Sequence, residues 1–501
     1  MKKITNILLS LACVLTFASC ANFLDMAPTN QADSSTCLTS VHDAEVMLNG
    51  LIYNLTSASY YGRNFLLYGD AKGGDLTIYT GGNPGDALYY FNHSASSGSY
   101  SGFWSQGYYC LLQANNIINN IKALQAEGTT EDFDDCLGQA LTIRALIHFD
   151  LVRLYGKPYN MDKASDGIAV VTEQIDASAK LLRDPVEKAY QQIVADLVEA
   201  APLLSTKPRG GYFNYFANQM LLGKVYQYMD NQGSALTCFE NVINSGKYTL
   251  YTPSNWVASW SREFGSESIL ELAIYPSERD LGTGSLGCYY MRKGHIKAAN
   301  GNFNASKYWM DLMDEDDIRW GIMDWGHYYG DTSVDPRIQA RAAYGKDCCY
   351  KYSGSINLAG DKGSSNYTAV NIKVFRLSEA YLLAAEAALT SGDRAKAANY
   401  LNEIAKRDPD LTPWTSSTVT ADAIRQEYRR EFLCEGKLFF EECRWNSTIT
   451  FEDNAYYGST VSTRRGLTID RTNNLCRLPI SIDEIHTNPD IQQNPGYSGT
   501  E

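Results

Sequence analysis

Five glutamates crowd one short stretch of this chain: Glu427, Glu431, Glu435, Glu441 and Glu442. Two carboxylates flanking a sugar can serve as acid and nucleophile in glycoside hydrolysis. Here they alternate with Arg425, Arg429, Arg430 and Arg444 at helical spacings, and opposite charges three or four residues apart pair on a helix surface. Ion pairs that bind this helix to its neighbours are therefore expected. Gly282-x-Gly284-x-x-Gly287 has the spacing of a dinucleotide-binding turn, but such a turn must open a helix whose N-terminus holds the pyrophosphate. The residues after it do not continue as an amphipathic helix, so a flexible loop is expected and no cofactor. The six histidines contain no H-x-x-x-H pair and the cysteines no C-x-x-C, so no metal site is expected. EF-hand spacing, G-x-S-x-G and a P-loop are also missing, and an enzyme is not the reading these residues favour.

Aromatics offer a different chemistry. The chain has 35 Tyr and 8 Trp, flat side chains with an apolar face and a polar edge that suit sugar rings or peptides. Most should pack between helices, as Trp104 does in register on an apolar helix face. Others fall in two irregular stretches rich in Gly, Ser, Asn and Tyr, Asp70 to Ser101 and about Tyr275 to Asn371. Long loops carrying aromatics are expected to be functional. Candidate ligand-binding residues on loop position and chemistry are Tyr79, Asn83, Tyr89 and Tyr90 in the first, with Tyr289, Tyr290, Arg292 and Trp325 in the second. Each aromatic stack on a sugar would add about 0.5–1.5 kcal/mol beyond burial.

Helices must hold these loops. Trp104, Tyr108, Leu111, Asn115, Ile118 and Ile121 recur on one face, a second helix spans about Leu137 to Tyr155, and a third starts at Asp184-Pro185-Val186-Glu187. There Asp184 is expected to cap and Pro185 to occupy the first turn. Leu222-Gly223-x-x-Tyr226 with Ala235 and Phe239, then Ala385 and Ala397 with Leu401 and Pro409, match tetratricopeptide spacing, in which small residues let two helices cross closely. Cys110, Cys238 and Cys434 fall in helical patterns as small hydrophobes. One or two disulfides remain open for a protein outside the cytoplasm.

Export is written at the N-terminus. Lys2 and Lys3 precede an apolar run from Ile7 to Ala18, and Ala18-Ser19 precede Cys20. That is a lipoprotein signal over 1–19 with acylation of Cys20, and the run is too short to span a bilayer. Lys plus Arg 43 against Asp plus Glu 57 gives −14, which argues against nucleic acid and against electrostatic docking on anionic lipid.

Several of these segments together resemble one family. Arg429-Arg-Glu-Phe-x-x-Glu-Gly436, followed by Arg444-Trp445, is similar to the C-terminal signature of the SusD/RagB family, as is the closing stretch Leu478 to Tyr497. Cys20 with Asn22-Phe-Leu-Asp25 and Pro28 resembles the family's start, Arg144 to Gly156 its first scaffold helix, and Leu377 to Ala387 its repeat helix. The resemblance implies an all-α fold of tetratricopeptide-like helical hairpins with loop-rich insertions bearing the ligand surface. It also implies a lipid-anchored protein at the cell surface of the outer membrane, whose partner is a SusC-like TonB-dependent transporter. One domain is expected over 20–501, its scaffold about 35–268 and 371–501 and its insertion about 275–371. The expected function is non-catalytic capture of an oligosaccharide or polysaccharide and its delivery to that transporter. Oligopeptide capture is the alternative, followed by a secreted glycoside hydrolase and a purely structural assembly subunit.

Overall fold

The computed structural model describes residues 38–78, 85–96, 98–176, 178–292, 299–323, 348–354, 366–452 and 464–497. Helices dominate them. α1 (Val41–Leu55) starts from a capping box in which Ser40 and Asp43 satisfy each other's backbone N–H groups. α2 is Asn64–Ala71, α3 the single turn Asp86–Tyr89, α4 Gly98–Ala126, α5 Asp134–Tyr155 and α6 Val186–Ala200. α4 packs on α5 and α5 on α6, burying Trp104, Leu111, Asn115, Ile118 and Ile121 along the expected face.

The start of α6 departs from expectation. Pro185 takes the cap position and no side chain caps the helix. The Asp184 carboxylate instead accepts from Val170 N at 3.0 Å and from Lys188 Nζ at 2.7 Å, so it fastens the incoming chain to the helix.

The two repeat signatures fold as hairpins: α7 (Tyr215–Tyr228) with α8 (Gln232–Ile243), and α10 (Leu377–Thr390) with α11 (Arg394–Ala405). Their turns are built alike. Asp230 and Gly392 are left-handed at φ 59° and 91°, and the next residues, Asn231 and Asp393, cap the second helix through Ser234 N and Lys396 N. The crossing points are tight: a Cβ at Gly223 would lie 2.5 Å from the Phe239 ring. In the second hairpin Ala385 and Leu401 have the same spacing as Gly223 and Phe239, and both are fully buried. α8 packs on α10, and α12 (Ala421–Phe432) closes against α10 and α11, so each pair is covered by the next, as in a helical-repeat array. α13 (Leu438–Trp445) packs on α2.

Three antiparallel two-stranded ladders complete the described architecture. β1 (Leu76–Ile78) pairs with β3 (Phe303–Ala305), β2 (Ser268–Leu272) with β4 (Ile372–Arg376), and β5 (Ile449–Thr450) with β6 (Thr468–Ile469). The β2–β4 ladder brings together the two ends of residues 273–371, and Ile274 N donates to Asn371 Oδ1 at 2.9 Å across that neck. Within the insertion, the glycine-rich stretch is a 3₁₀ turn at Gly282–Gly284 followed by the five-residue α9 (Leu286–Tyr290), wholly buried. A Cβ at Gly287 would meet the Tyr352 carbonyl at 2.0 Å, so that glycine serves packing.

Candidate functional site

The carboxylates of the arginine-rich segment are spent on structure. Glu431 is fully buried; it accepts from Arg376 Nη2 at 3.0 Å and pairs with Arg407 and Arg319. Burial alone would raise its carboxyl, yet these guanidinium groups hold it far below the usual range. Glu427 takes Arg319 at 2.7 Å and Arg430 at 2.6 Å, Glu435 takes Lys351 and Arg376 at 2.7 Å, and Glu441 takes Arg444 at 2.6 Å. Glu442 is buried, which pushes its carboxyl up to about 7. The expected tie between this helix and its neighbours is what the fold contains.

The same segment reaches the base of the loops. Arg429 pairs with Asp75 immediately before β1, and Ser306 N donates to the Asp75 carbonyl at 2.8 Å immediately after β3. Cys434 sits in the turn after α12, at φ 62°, outside any helix. Two residues on, Gly436 has φ 74°, and a Cβ there would lie 2.5 Å from Leu66 Cα. Only glycine combines that left-handed backbone with so close an approach. Gly436 N then donates to Asp70 Oδ1 at 2.8 Å, and Tyr290 Oη donates to Asp70 Oδ2 at 2.6 Å. Burial pushes the Asp70 carboxyl up to about 7, and these two donors hold it below where burial alone would leave it.

The β1–β3 ladder gathers the feet of three segments. Ile78 pairs with Phe303, and Gly85, left-handed at φ 90°, lies so close that a Cβ would be 3.3 Å from the Phe303 ring and 3.4 Å from the Tyr289 ring. Segment 79–84 therefore begins and ends beside this pair. Segment 293–298 lies between Arg292 and the strand that Asn302 N ties to the Tyr289 carbonyl at 2.9 Å. Segment 324–347 begins after Met323, which bridges to Cys349. The described chain resumes at Cys348, whose Sγ accepts from Asn304 Nδ2 of β3 at 3.1 Å, and Tyr350 Oη accepts from Arg292 N at 3.3 Å.

The proposed ligand residues divide accordingly. Tyr89, Tyr289 and Tyr290, candidates for ligand contact on loop position and chemistry, belong to the packing beneath the surface. Tyr89 is 0% exposed, with Arg465 over its ring at 4.7 Å and Phe451 at its edge. Tyr290 is 1% exposed and held by Asp70. Tyr289 is 7% exposed, covered by Arg63, whose Nη1 also reaches the Gly284 carbonyl at 3.1 Å. Tyr90 and Arg292 are half-buried at the feet of the loops. Tyr79, Asn83, Trp325 and the acylation candidate Cys20 lie outside the described residues. Sequence reasoning missed Asp70, Arg63 and Gly85; the glycine ending Gly81-Gly-Asn-Pro-Gly85 was the available signal. Among the described residues no cluster of three or more His, Cys, Asp or Glu could hold a metal ion, and no helix is long and apolar enough to cross a membrane.

A family model described as SusD family matches residues 288–497, and one described as starch-binding associating with outer membrane matches residues 22–226. The fold is similar to that of a SusD superfamily protein from Bacteroides thetaiotaomicron VPI-5482, with TM-score 0.83 and 30% identity over 91% of this chain and 100% of that one. In sequence it is 22% identical to SusD-like protein P38 of Formosa agariphila over 99% of this chain and 100% of the relative. It is 31% identical to starch-binding protein SusD of Bacteroides thetaiotaomicron over 139 residues, 26% of this chain and 23% of that protein. The chain belongs to the SusD family of outer-membrane-associated proteins.

Proposed function

We propose that this protein captures an oligosaccharide without cleaving it, at the outer membrane, and passes it to a TonB-dependent transporter. The observation that carries this reading is the common root of segments 79–84, 293–298 and 324–347 at the β1–β3 ladder. The sequence of these segments carries the candidates Tyr79, Asn83 and Trp325, residue types suited to stacking on sugar faces and bonding hydroxyls. The starch-binding relative and the starch-binding family description support a glycan ligand. The pairing of Glu427, Glu431, Glu435 and Glu441 with cations supports capture over hydrolysis. Acylation of Cys20 would tether the chain, and delivery to the transporter completes the reading. Calorimetric titration of residues 21–501 with defined oligosaccharides and with a mixed oligopeptide pool tests it. Heat with sugars that are recovered intact is the expected result. Heat with peptides alone, or release of reducing sugar, overturns it.

A further inference from the structure

Lys72, at the end of α2, is completely buried yet pairs with no carboxylate among the described residues. Its Nζ reaches Tyr68 Oη, His93 Nε2 and the Leu475 carbonyl, each at 3.1 Å. The rings of Phe91 at 4.1 Å, Tyr68 at 4.4 Å and Phe439 at 4.9 Å surround it. Burial pushes its ammonium down to about 7, and a charge held there needs a counter-charge. His93 cannot supply one, because burial and Lys72 itself hold it neutral. The neighbouring groups that can become negative are the thiols of Cys476 and Cys443.

These two thiols touch each other. Cys443, on α13, shares a side-chain hydrogen bond with Cys476, in the 3₁₀ turn Asn474–Cys476. Both line one cleft with Gly156, Pro158, Arg471 and Arg477, and Cys443 is only half-buried. A second contacting pair, Cys349 and Cys434, is by contrast sealed in the core at 3% and 1% exposure. Cys476 faces Lys72, Arg477 and Cys443, with Asp470 as the opposing charge and the Asp470 carbonyl at 3.3 Å. A thiolate is the attacking species in disulfide exchange, and adjacent cations and a donating thiol favour it.

We propose that Cys476 and Cys443 are a modification site, an exchange-competent thiol pair with Lys72 as counter-ion, which a small disulfide converts to a cross-link between the C-terminal segment and α13. The Cys476 thiolate attacks one sulfur of the disulfide, forming a mixed disulfide and expelling one thiolate, which takes up a proton. Cys443 loses its proton to solvent and attacks the Cys476 sulfur, and the second thiolate leaves and is protonated. Two protein thiols are oxidised and one small disulfide is reduced to two thiols.

The test is incubation of the folded full chain with oxidised glutathione, then denaturation, alkylation and tryptic digestion. Peptide 438–444 joined to peptide 472–477, lighter by two hydrogens than their sum, is expected, with neither cysteine alkylated. Cys349 and Cys434 are expected to stay alkylatable. Recovery of both Cys443 and Cys476 fully alkylated overturns the proposal. In the unoxidised protein the pair's alkylation rate against pH should have its midpoint below about 8.5, the value of a free thiol. Lys72→Met should raise that midpoint and slow cross-linking, since thiolate population is lost. A midpoint at or above the free-thiol value, or a rate that Lys72→Met leaves unchanged, overturns the role of Lys72.

Discussion

Tyr290 donates to Asp70 at 2.6 Å inside the protein, joining the helix that leads into the first loop to the helix that leads into the second. Gly436 N, from the arginine-rich segment, holds the other carboxylate oxygen. One buried acid thus fixes three parts of the chain relative to one another. Burial pushes it up to about 7, above its unfolded value near 4. The native state therefore binds the proton more tightly, and this group's contribution to stability falls as pH rises from about 4 to about 7. Asp70→Asn should abolish that fall, at most about 4 kcal/mol. Urea denaturation of both proteins at pH 5 and pH 8 checks it: the variant should gain on the wild type at the higher pH.

Glu379 has the opposite sign. Burial would raise its carboxyl, but Lys224 and Lys437, with Nζ at 2.5 and 2.6 Å, pull it down to about 2. Its stabilisation is present above about 4.5 and is lost as pH falls towards about 2, to the extent of about 3 kcal/mol. Acid unfolding followed by circular dichroism should shift to higher pH in Lys224→Met.

Glu431 is surrounded by Arg319, Arg376 and Arg407. Glu431→Gln leaves those cations uncompensated and should cost about 3–5 kcal/mol. Chemical denaturation measures the loss, and ligand affinity of the folded fraction should be unchanged.

Gly223 and Phe239 form the tight crossing of the first hairpin. Gly223→Ala should destabilise by about 1–3 kcal/mol through overpacking. Adding Phe239→Leu recreates the Ala385 and Leu401 combination of the second hairpin and should recover part of that loss, which a double-mutant cycle of melting curves would show.

Tyr89 and Trp325 should separate packing from binding. Tyr89→Ala empties a filled site under Arg465 and should cost about 3–5 kcal/mol of stability. Trp325→Ala should weaken oligosaccharide binding with the melting temperature unchanged. Equal affinities of wild type and Trp325→Ala in calorimetry would remove Trp325 from the site.

Much of the scaffold was legible because it is periodic and local. Small residues at Gly223, Ala235, Ala385 and Ala397 mark the crossings, and Arg–Glu spacing in 424–445 already favoured ion pairs over catalysis. Asp184 looked like a cap because its carboxylate precedes a proline. Its real partner, Val170 N, arrives from a loop whose path no local pattern records. Tyr89, Tyr289 and Tyr290 are candidates on loop position and chemistry alone, which say nothing of burial. Distant groups, Arg465, Arg63 and Asp70, enclose them, and a contact between remote segments leaves no periodic trace. Gly436 is the reverse case: its place in a recurring motif was visible, but the Leu66 backbone that makes glycine necessary was not.

The neck at Ile274 and Asn371, where the insertion leaves and returns through the paired strands β2 and β4, has an evolutionary corollary. Because the two ends are held together by the scaffold, doubling the length between them costs only about 0.6 kcal/mol in closure entropy. Such a socket lets the span between them change in length while the helical repeats stay as they are.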